Sequence, residues 1–334
     1  MTGYDEVSAR ARGLATHLLS ASEWRGLAQV SDWSALAARL EQAREPLPLH
    51  GPSTANTVER AVRQRAGERL ALLARWCSHR EELLEVIFGD EDRRSVRALV
   101  RGAAARAPPE DRLAATLPTP ALPLRALETL ASQPNIAAVA ALLLAWRHPA
   151  ASALKGAPAR GPPDLLLLET ALTREFARRA QGAGRRGDAL LRWHLQTLVD
   201  SENVLSALVL AESQEDVQLA PLFIDGGSVS LTALERVARA RPRLAALEQA
   251  QAALRGTVLE DAFTHDEASG LAERLAQAHR AHLHRTARVD PLGSAPVLDY
   301  ALRLREEVQR FQRLAWALAL SAPLAERLLQ GGFP

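Results

Sequence analysis

The sequence predicts an all-α protein, and its composition and residue pattern both support that class. Ala, Leu, Arg and Glu, which favour helices, dominate the 334 residues, whereas Phe, Trp and Tyr together make up only 4%. Strands favour aromatic residues and alternate apolar with polar positions, and this chain shows almost no such alternation. Because 47% of the residues are hydrophobic, the chain can bury a substantial core.

Helical periodicity is clearest in the first third of the chain. Apolar residues recur at helical spacing from Val58 to Leu73, which predicts an amphipathic helix over residues 54–77. Clusters of Pro and Gly interrupt the pattern and predict loops, because both residues disfavour helix interiors. These clusters lie at residues 45–52, 107–123, 157–163 and 290–296. Residues 222–224, just before two glycines, are at most a short extended segment.

One segment pattern occurs three times along the chain. Residues 92–100, 200–208 and 307–315 each start with an acid, place a polar residue three positions on and continue as a largely apolar helix. The starting acids lie 108 and 107 residues apart. Similarity by chance between amphipathic helices is the alternative explanation, since every such helix shows spaced Leu and Val.

A weaker repeat upstream supports the same period. Trp33, Ile136 and Leu244 occupy corresponding positions, each followed by apolar residues at helical spacing. We therefore expect three similar helical domains of about 110 residues, at 1–110, 111–219 and 220–334. The period is more than twice that of common helical solenoids, so closure of the three units around a pseudo-threefold axis is plausible.

The repeated polar positions are the candidate functional residues. An acid in the first turn of a helix complements the helix dipole, so each repeated segment is expected to begin a helix. The polar residue three positions on shares its face and could bond to a neighbouring helix. The alternative for each residue is a cap or a helix–helix hydrogen bond within one domain. The candidates are Asp92, Asp200, Asn203, Glu307 and Arg310.

Composition and motifs argue against several function classes. The formal net charge is only +2, whereas nucleic-acid binding usually needs clustered basic charge. The one cysteine, Cys77, excludes a disulfide framework within the chain and a thiolate-rich zinc site. The first thirteen residues lack the apolar segment of a signal peptide, and the longest apolar run, 136–146, is too short to span a bilayer. We therefore expect a cytoplasmic protein.

Two motifs that suggest chemistry have simpler explanations. Residues 182–187 match the spacing of a dinucleotide-binding glycine motif, but a helical pattern precedes them where that motif needs a strand, so we expect a helix–helix loop. His279, His282 and His284 form the densest histidine cluster, but no carboxylate at ligand spacing joins them, and surface histidines are the favoured interpretation. We find no arrangement of residues that demands catalysis, a cofactor or a metal.

Several strings in this order resemble one family, the C subunit of V/A-type rotary ATPases, called subunit d in eukaryotes. Residues 8–12 are similar to the family's Asn-Ala-Arg-Val-Arg opening, and residues 199–204 to its Asp-x-Glu-Asn-Leu string. Residues 222–227 resemble its apolar segment ending in Gly-Gly, and residues 290–293 contain its Pro-Leu-Gly. This chain departs from the family at Ser95 and Arg310, where Asn is usual.

The resemblance implies a fold, a role and partners. Family members consist of three similar helical domains around a central funnel. They cap the cytoplasmic side of the membrane proteolipid ring and receive the foot of the central shaft, formed by subunits of the D and F type. They catalyse nothing and transmit torque between ATP chemistry and ion transport, so peripheral membrane association through the ring is expected.

The candidate residues take their expected place from this resemblance. Asp92, Asp200, Asn203, Glu307 and Arg310 would lie within or at the rim of the socket that holds the shaft. Two alternatives remain open: a helical-repeat scaffold for another assembly, and an all-α enzyme with a buried site, which metal at residues 279–284 would indicate.

Overall fold

The computed structural model describes residues 4–42, 46–47, 49, 54–157, 163–213, 219–263 and 270–321. Within these residues the chain is helical and contains no strand, which confirms the all-α prediction. The first seven helices are α1 Asp5–Ala15, α2 Ala21–Ala28, α3 Trp33–Glu41, α4 Ala55–Trp76, α5 Glu81–Ala104, α6 Pro109–Leu113 and α7 Leu124–Ala131. The next seven are α8 Ile136–Ala145, α9 Leu165–Arg186, α10 Ala189–Glu212, α11 Leu231–Arg239, α12 Arg243–Ala253, α13 Leu271–Val289 and α14 Ala295–Ala319.

Several local predictions can be compared with these bounds. The helix expected at 54–77 is α4, and its prediction is confirmed. The proline-rich stretch 107–123 contains the short helix α6, which starts with Pro109 in its first turn, where no backbone N–H is needed. Residues 220–222 form a 3₁₀ turn before extended backbone at Phe223. The stretches 45–52 and 157–163 lie largely outside the described residues.

Short and long helices alternate along the chain. The short pairs are α2–α3, α7–α8 and α11–α12, and the long pairs are α4–α5, α9–α10 and α13–α14. Side-chain caps define many of the helix starts, because Ser, Thr, Asp and Asn satisfy backbone N–H groups that have no partner in the first turn. Caps of this kind are Ser20, Asp32, Thr54, Asn135, Asp164, Asp188 and Ser230.

The second helix of each long pair is the more deeply buried one. Helices α5, α10 and α14 bury residues on most of their circumference, whereas α4, α9 and α13 bury mainly one face. Helix α4 packs mainly on α14, α5 on α9, and α13 on α14. The side chains of α5 also reach α10 and α14, so these three helices meet in the interior.

Two of the short pairs pack on the second half of a buried long helix, and α2 of the third pair contacts another. Helices α7 and α8 contact α5, and α11 and α12 contact α10, each forming an apolar cluster. Helix α2 lies against α14, where the rings of Trp24 and Phe311 are 4.6 Å apart. The first and last parts of the chain therefore share one apolar core. The domain division at residues 110 and 219 and the closure around a central axis stay predictions.

The described helices include none that is both long enough and apolar enough to cross a membrane.

Candidate functional site: anchored loops and a central ion network

The three repeated acids lie near the middle of long helices and not at helix starts. Helices α5, α10 and α14 begin eleven or twelve residues before Asp92, Asp200 and Glu307, respectively. The prediction of first-turn acids is therefore wrong. The helices extend upstream because apolar residues such as Leu83 and Val86 continue the helical spacing and are fully buried.

Asp200 holds the loop that leads into α11. Its carboxylate accepts hydrogen bonds from the backbone N–H groups of Ser228, at 2.9 Å, and Val229, at 3.0 Å, and from the Ser228 hydroxyl at 2.6 Å. The loop comes this close because Gly227 has no side chain, and a Cβ there would lie 2.2 Å from Asp200 Oδ1. Loop and carboxylate thus fix each other.

The other two acids do the same for two other loops. Asp92 accepts a hydrogen bond of 2.5 Å from the hydroxyl of Thr119. Glu307 accepts bonds of 2.7 Å from the backbone N–H of Leu19 and 2.8 Å from Nη1 of Arg69. Bonds from charged carboxylates to N–H and O–H groups are stronger than neutral ones, so each acid is a firm attachment point.

These three acids, which we call the anchor acids, share a structural role. The segments they hold lie immediately before α2, α7 and α11, which begin the three short pairs. Each anchor acid therefore ties a short pair to the middle of the long helix on which that pair packs. The match between sequence repeat and hydrogen-bond pattern shows that the repeated acids do equivalent work.

The polar residue three positions on completes the attachment in two of the three repeats. The amide of Asn203 donates to the carbonyl of Ile224 and accepts from its N–H, both at 2.9 Å. Ser95 forms the corresponding pair of bonds with the backbone of Leu117, at 3.1 and 3.3 Å. Arg310 differs, because its guanidinium bonds to Glu306 at 2.7 Å.

Arg310 also lies over an aromatic ring of a short helix. Its guanidinium carbon is 5.9 Å from the ring centre of Trp24 in α2, within the range of a cation–π contact. Arg310 thus contacts the same short pair that Glu307 anchors, by different chemistry. All five candidate residues therefore lie where a long helix meets a short pair.

Four of the five candidates are buried by their own chain, and Arg310 is partly buried. Asn203 and Asp200 are 1% and 2% exposed, and Asp92 and Glu307 are also below a tenth. The hydrogen bonds described above link them to other parts of this chain. A contact of these side chains with a partner protein stays a prediction.

A second set of polar residues, which sequence reasoning missed, lies where α5, α10 and α14 meet. We call it the central ion network, and it comprises Asp90, Glu91, Arg93, Glu202 and Arg305. Arg305 Nε donates to Glu91 Oε1 at 2.7 Å and joins α14 to α5. Arg93 bonds to Asp90 at 2.7 Å and, through Nη1, to Glu202 at 2.9 Å, and so joins α5 to α10.

The charges of this network are coupled. Burial alone would raise the pKa of Glu202, but Arg93 and Arg97 outweigh that effect and lower it to about 2. The pKa of Asp90 is likewise held well below its usual range, because Arg94 and Arg93 outweigh the effect of burial. Burial lowers the pKa of Arg305 to about 10, with Asp90 acting in the opposite direction. Asp90 and Glu202 therefore stay ionised and are not poised to exchange protons near neutral pH.

A buried histidine pair links α10 to α13. His194 Nδ1 and His279 Nε2 are 2.9 Å apart, and the ring of Trp193 lies edge-on to His279. Burial lowers the pKa of His194 to about 4 and holds that of His279 well below its usual value. The expectation of surface histidines is wrong for His279, because Leu275, His279 and Leu283 share the buried face of α13.

The other motifs that suggest chemistry, the glycine motif and the cysteine, are also parts of the helical packing. The glycine motif at 182–187 is not a loop: residues 182–186 belong to α9, and Gly184 allows close approach of Leu195 in α10. Burial raises the pKa of the Cys77 thiol to about 11, which disfavours a reactive thiolate. Among the residues that the structure describes, no three His, Cys, Asp or Glu side chains are grouped so that they could bind a metal ion.

The buried charges described above bond to one another and to loop backbones, and so hold helices and loops in place. The family model of the ATP synthase (C/AC39) subunit matches residues 7–320, and this chain belongs to that family. The chain is therefore a V/A-type ATPase subunit of the structural and not the catalytic kind. No individual curated protein matches the chain significantly.

Proposed function

We propose that this chain is a non-catalytic rotor subunit that couples the central shaft of a V/A-type ATPase or ATP synthase to the membrane proteolipid ring. It transmits torque between ATP chemistry and the transport of protons or sodium ions. The observation that carries the proposal is the family match, which spans residues 7–320 of 334. The expected partners are shaft subunits of the D and F type and the proteolipid ring, through which the chain sits peripherally on the cytoplasmic face.

The packing fits a part that must turn as one body. Torque is transmitted without loss only if the element that receives it does not shear internally. The central ion network joins α5 to α10 and α14, and the anchor acids join short pairs to the same helices. Buried ion pairs add directional constraints that apolar packing lacks.

The anchor acids suggest an indirect role at the partner interfaces. Because these side chains are buried, we infer that they position the short pairs, and that exposed residues carried by the short pairs meet the shaft or the ring. Under this proposal Asp92, Asp200, Asn203 and Glu307 act as positioning residues. The three-unit division at 110 and 219 and a funnel-shaped arrangement remain part of the same proposal.

Affinity purification of the tagged chain from solubilised host membranes, followed by native mass spectrometry, tests the assignment. The expected result is one copy of the chain bound together with shaft subunits and the proteolipid ring. Capture with unrelated partners would support the alternative of a helical scaffold for another assembly. A chain that stays alone under conditions that preserve the ATPase would contradict the rotor assignment.

A further inference from the structure

The central ion network and the anchors lie side by side on each of the three buried long helices. On α5, Glu91 and Arg93 flank the anchor Asp92 in the sequence. On α10, Glu202 lies two residues after the anchor at position 200, and on α14, Arg305 lies two residues before the anchor at position 307. On each long helix, the residue that bonds to a short pair and the residue that forms an ion pair with another long helix therefore lie within a single turn.

This placement defines a path for force through the protein. The bonds of the anchor acid give a force on a short pair a directional route into the long helix, beside the apolar contacts. Within one turn it reaches an ion pair to the next long helix: Glu91 with Arg305 between α5 and α14, or Arg93 with Glu202 between α5 and α10. We propose that these two ion pairs are register pins, positioning residues that stop the long helices from slipping past one another under torque.

The proposal rests on the rotor function proposed above and adds the residues that carry the load. Stability alone explains the pairs poorly, because removing two charges from water costs free energy that their attraction often fails to recover. Well-packed apolar residues at such positions are frequently as stabilising or more so. What an ion pair adds is direction, because an arginine and a carboxylate bond well only in a narrow range of relative positions.

The Glu91–Arg305 pair is the better of the two for a test. Its partners lie 214 residues apart, so the bond closes α14 onto α5 across most of the chain. The other carboxylate beside Arg305, Asp90, has its own bonds to Arg93 and Arg94. Replacing both members with apolar residues therefore removes one pin and leaves no carboxylate of this network without an arginine.

The experiment compares the double variant Glu91→Leu/Arg305→Met with a matched control in the reconstituted holoenzyme. The control is Arg60→Met/Glu128→Leu, which removes an ion pair of 3.5 Å between exposed side chains of α4 and α7. Three quantities are measured: melting temperature of the chain, copies bound in the complex, and ions transported per ATP hydrolysed. We expect the first two to be unchanged in both variants, and the transport ratio to fall at least twofold in the Glu91/Arg305 variant only.

A second variant covers the case in which the double variant fails to fold. Arg305→Lys keeps the charge but loses the Nε–H group that donates to Glu91, and we expect it to assemble normally with a smaller loss of coupling. A folded variant of either kind that assembles and transports at the wild-type ratio would overturn the proposal. Failure of the wild-type chain to assemble with shaft and ring would instead overturn the rotor function itself, and the pins with it.

Discussion

At the scale of single residues, the polar positions of the repeat are explained by the loops they hold. Asn203 uses both ends of its side-chain amide on the backbone of one buried residue, donating to the C=O group of Ile224 and accepting from its N–H group. A buried backbone group without a hydrogen bond costs about 1–3 kcal/mol. The Asn203 side chain therefore stabilises the fold mainly through these two hydrogen bonds and less through its own burial.

The replacement Asn203→Leu separates a structural role from a direct interface role. We expect it to lower the free energy of unfolding by about 2 kcal/mol or more, because the buried N–H and C=O groups of Ile224 both lose their bonds to this side chain. Urea or thermal denaturation measures the effect. The same replacement at Asn56, an exposed residue of α4, should change stability by less than about 0.5 kcal/mol. Loss of shaft binding with an unchanged melting temperature would contradict this account and support a direct contact.

The sequence predicts which of these positions matter but not what they do. The repeat at spacings of 108 and 107 residues singled out Asp92, Asp200 and Glu307 correctly as equivalent. Their placement at helix starts is wrong, because a helix boundary is set by residues further upstream. The carboxylates from Asp90 to Asp92, beside arginines, have the pattern of helix-start or surface charge, and this interpretation is wrong because they are buried. Only the tertiary fold brings Glu91 to Arg305.

At the scale of elements, the contact between α10 and α13 depends on two neutral histidines. Burial favours the uncharged form of both rings, and the bond between His194 and His279 requires one ring nitrogen without a proton. In the unfolded chain a histidine takes up a proton near pH 6.5. A proton on either ring would create a buried cation beside the other histidine and near Arg94 of α5. Asp90 is the nearby group of opposite charge.

Stability should therefore fall as the pH drops from about 6.5 towards 4. In this window the unfolded state binds protons at residues 194 and 279 and the folded state does not. Each histidine therefore lowers the free energy of unfolding by up to about 1.4 kcal/mol for each pH unit. Denaturation at successive pH values measures the slope. In the double variant His194→Phe/His279→Leu we expect a clearly flatter slope.

A matched histidine replacement controls for the general effect of acid. His79 is exposed, so His79→Phe should leave the slope as in the wild type. Equal slopes in all three proteins would show that the buried pair does not set the acid sensitivity. The slopes are compared between about pH 6.5 and 5, because below that range carboxyl groups begin to protonate in the unfolded chain, and the stability that comes from the low pKa of Glu202, about 2, starts to be lost as well.

At the scale of the whole molecule, the two ends of the chain complete one structure. Leu19 and Arg69 bond to Glu307, and the first apolar core combines residues of α1–α4 with residues of α14. A sequence repeat indicates similar units in order but cannot show that the first and last parts pack together. This closure is the feature of the fold that sequence reasoning left open.

Arg69→Met tests the strength of that closure. The replacement leaves the buried Glu307 carboxylate without its cation, and breaking a buried pair in this way costs about 3–5 kcal/mol. Thermal unfolding should show the loss. Arg60→Met on the same helix removes an exposed pair and should cost less than about 1 kcal/mol. Comparable losses in the two variants would contradict a special role for the link between the chain ends.

The most direct test of the central claim measures coupling in membranes that lack this chain. Inverted vesicles are prepared from host cells in which the chain is deleted, and ATP-driven ion transport is followed before and after purified chain and shaft–head complex are added. We predict no ATP-driven transport without the chain, and recovery of transport that saturates at one copy per proteolipid ring. Transport at the wild-type rate in its absence, or no recovery although the chain binds both ring and shaft, would contradict the proposal that it transmits torque.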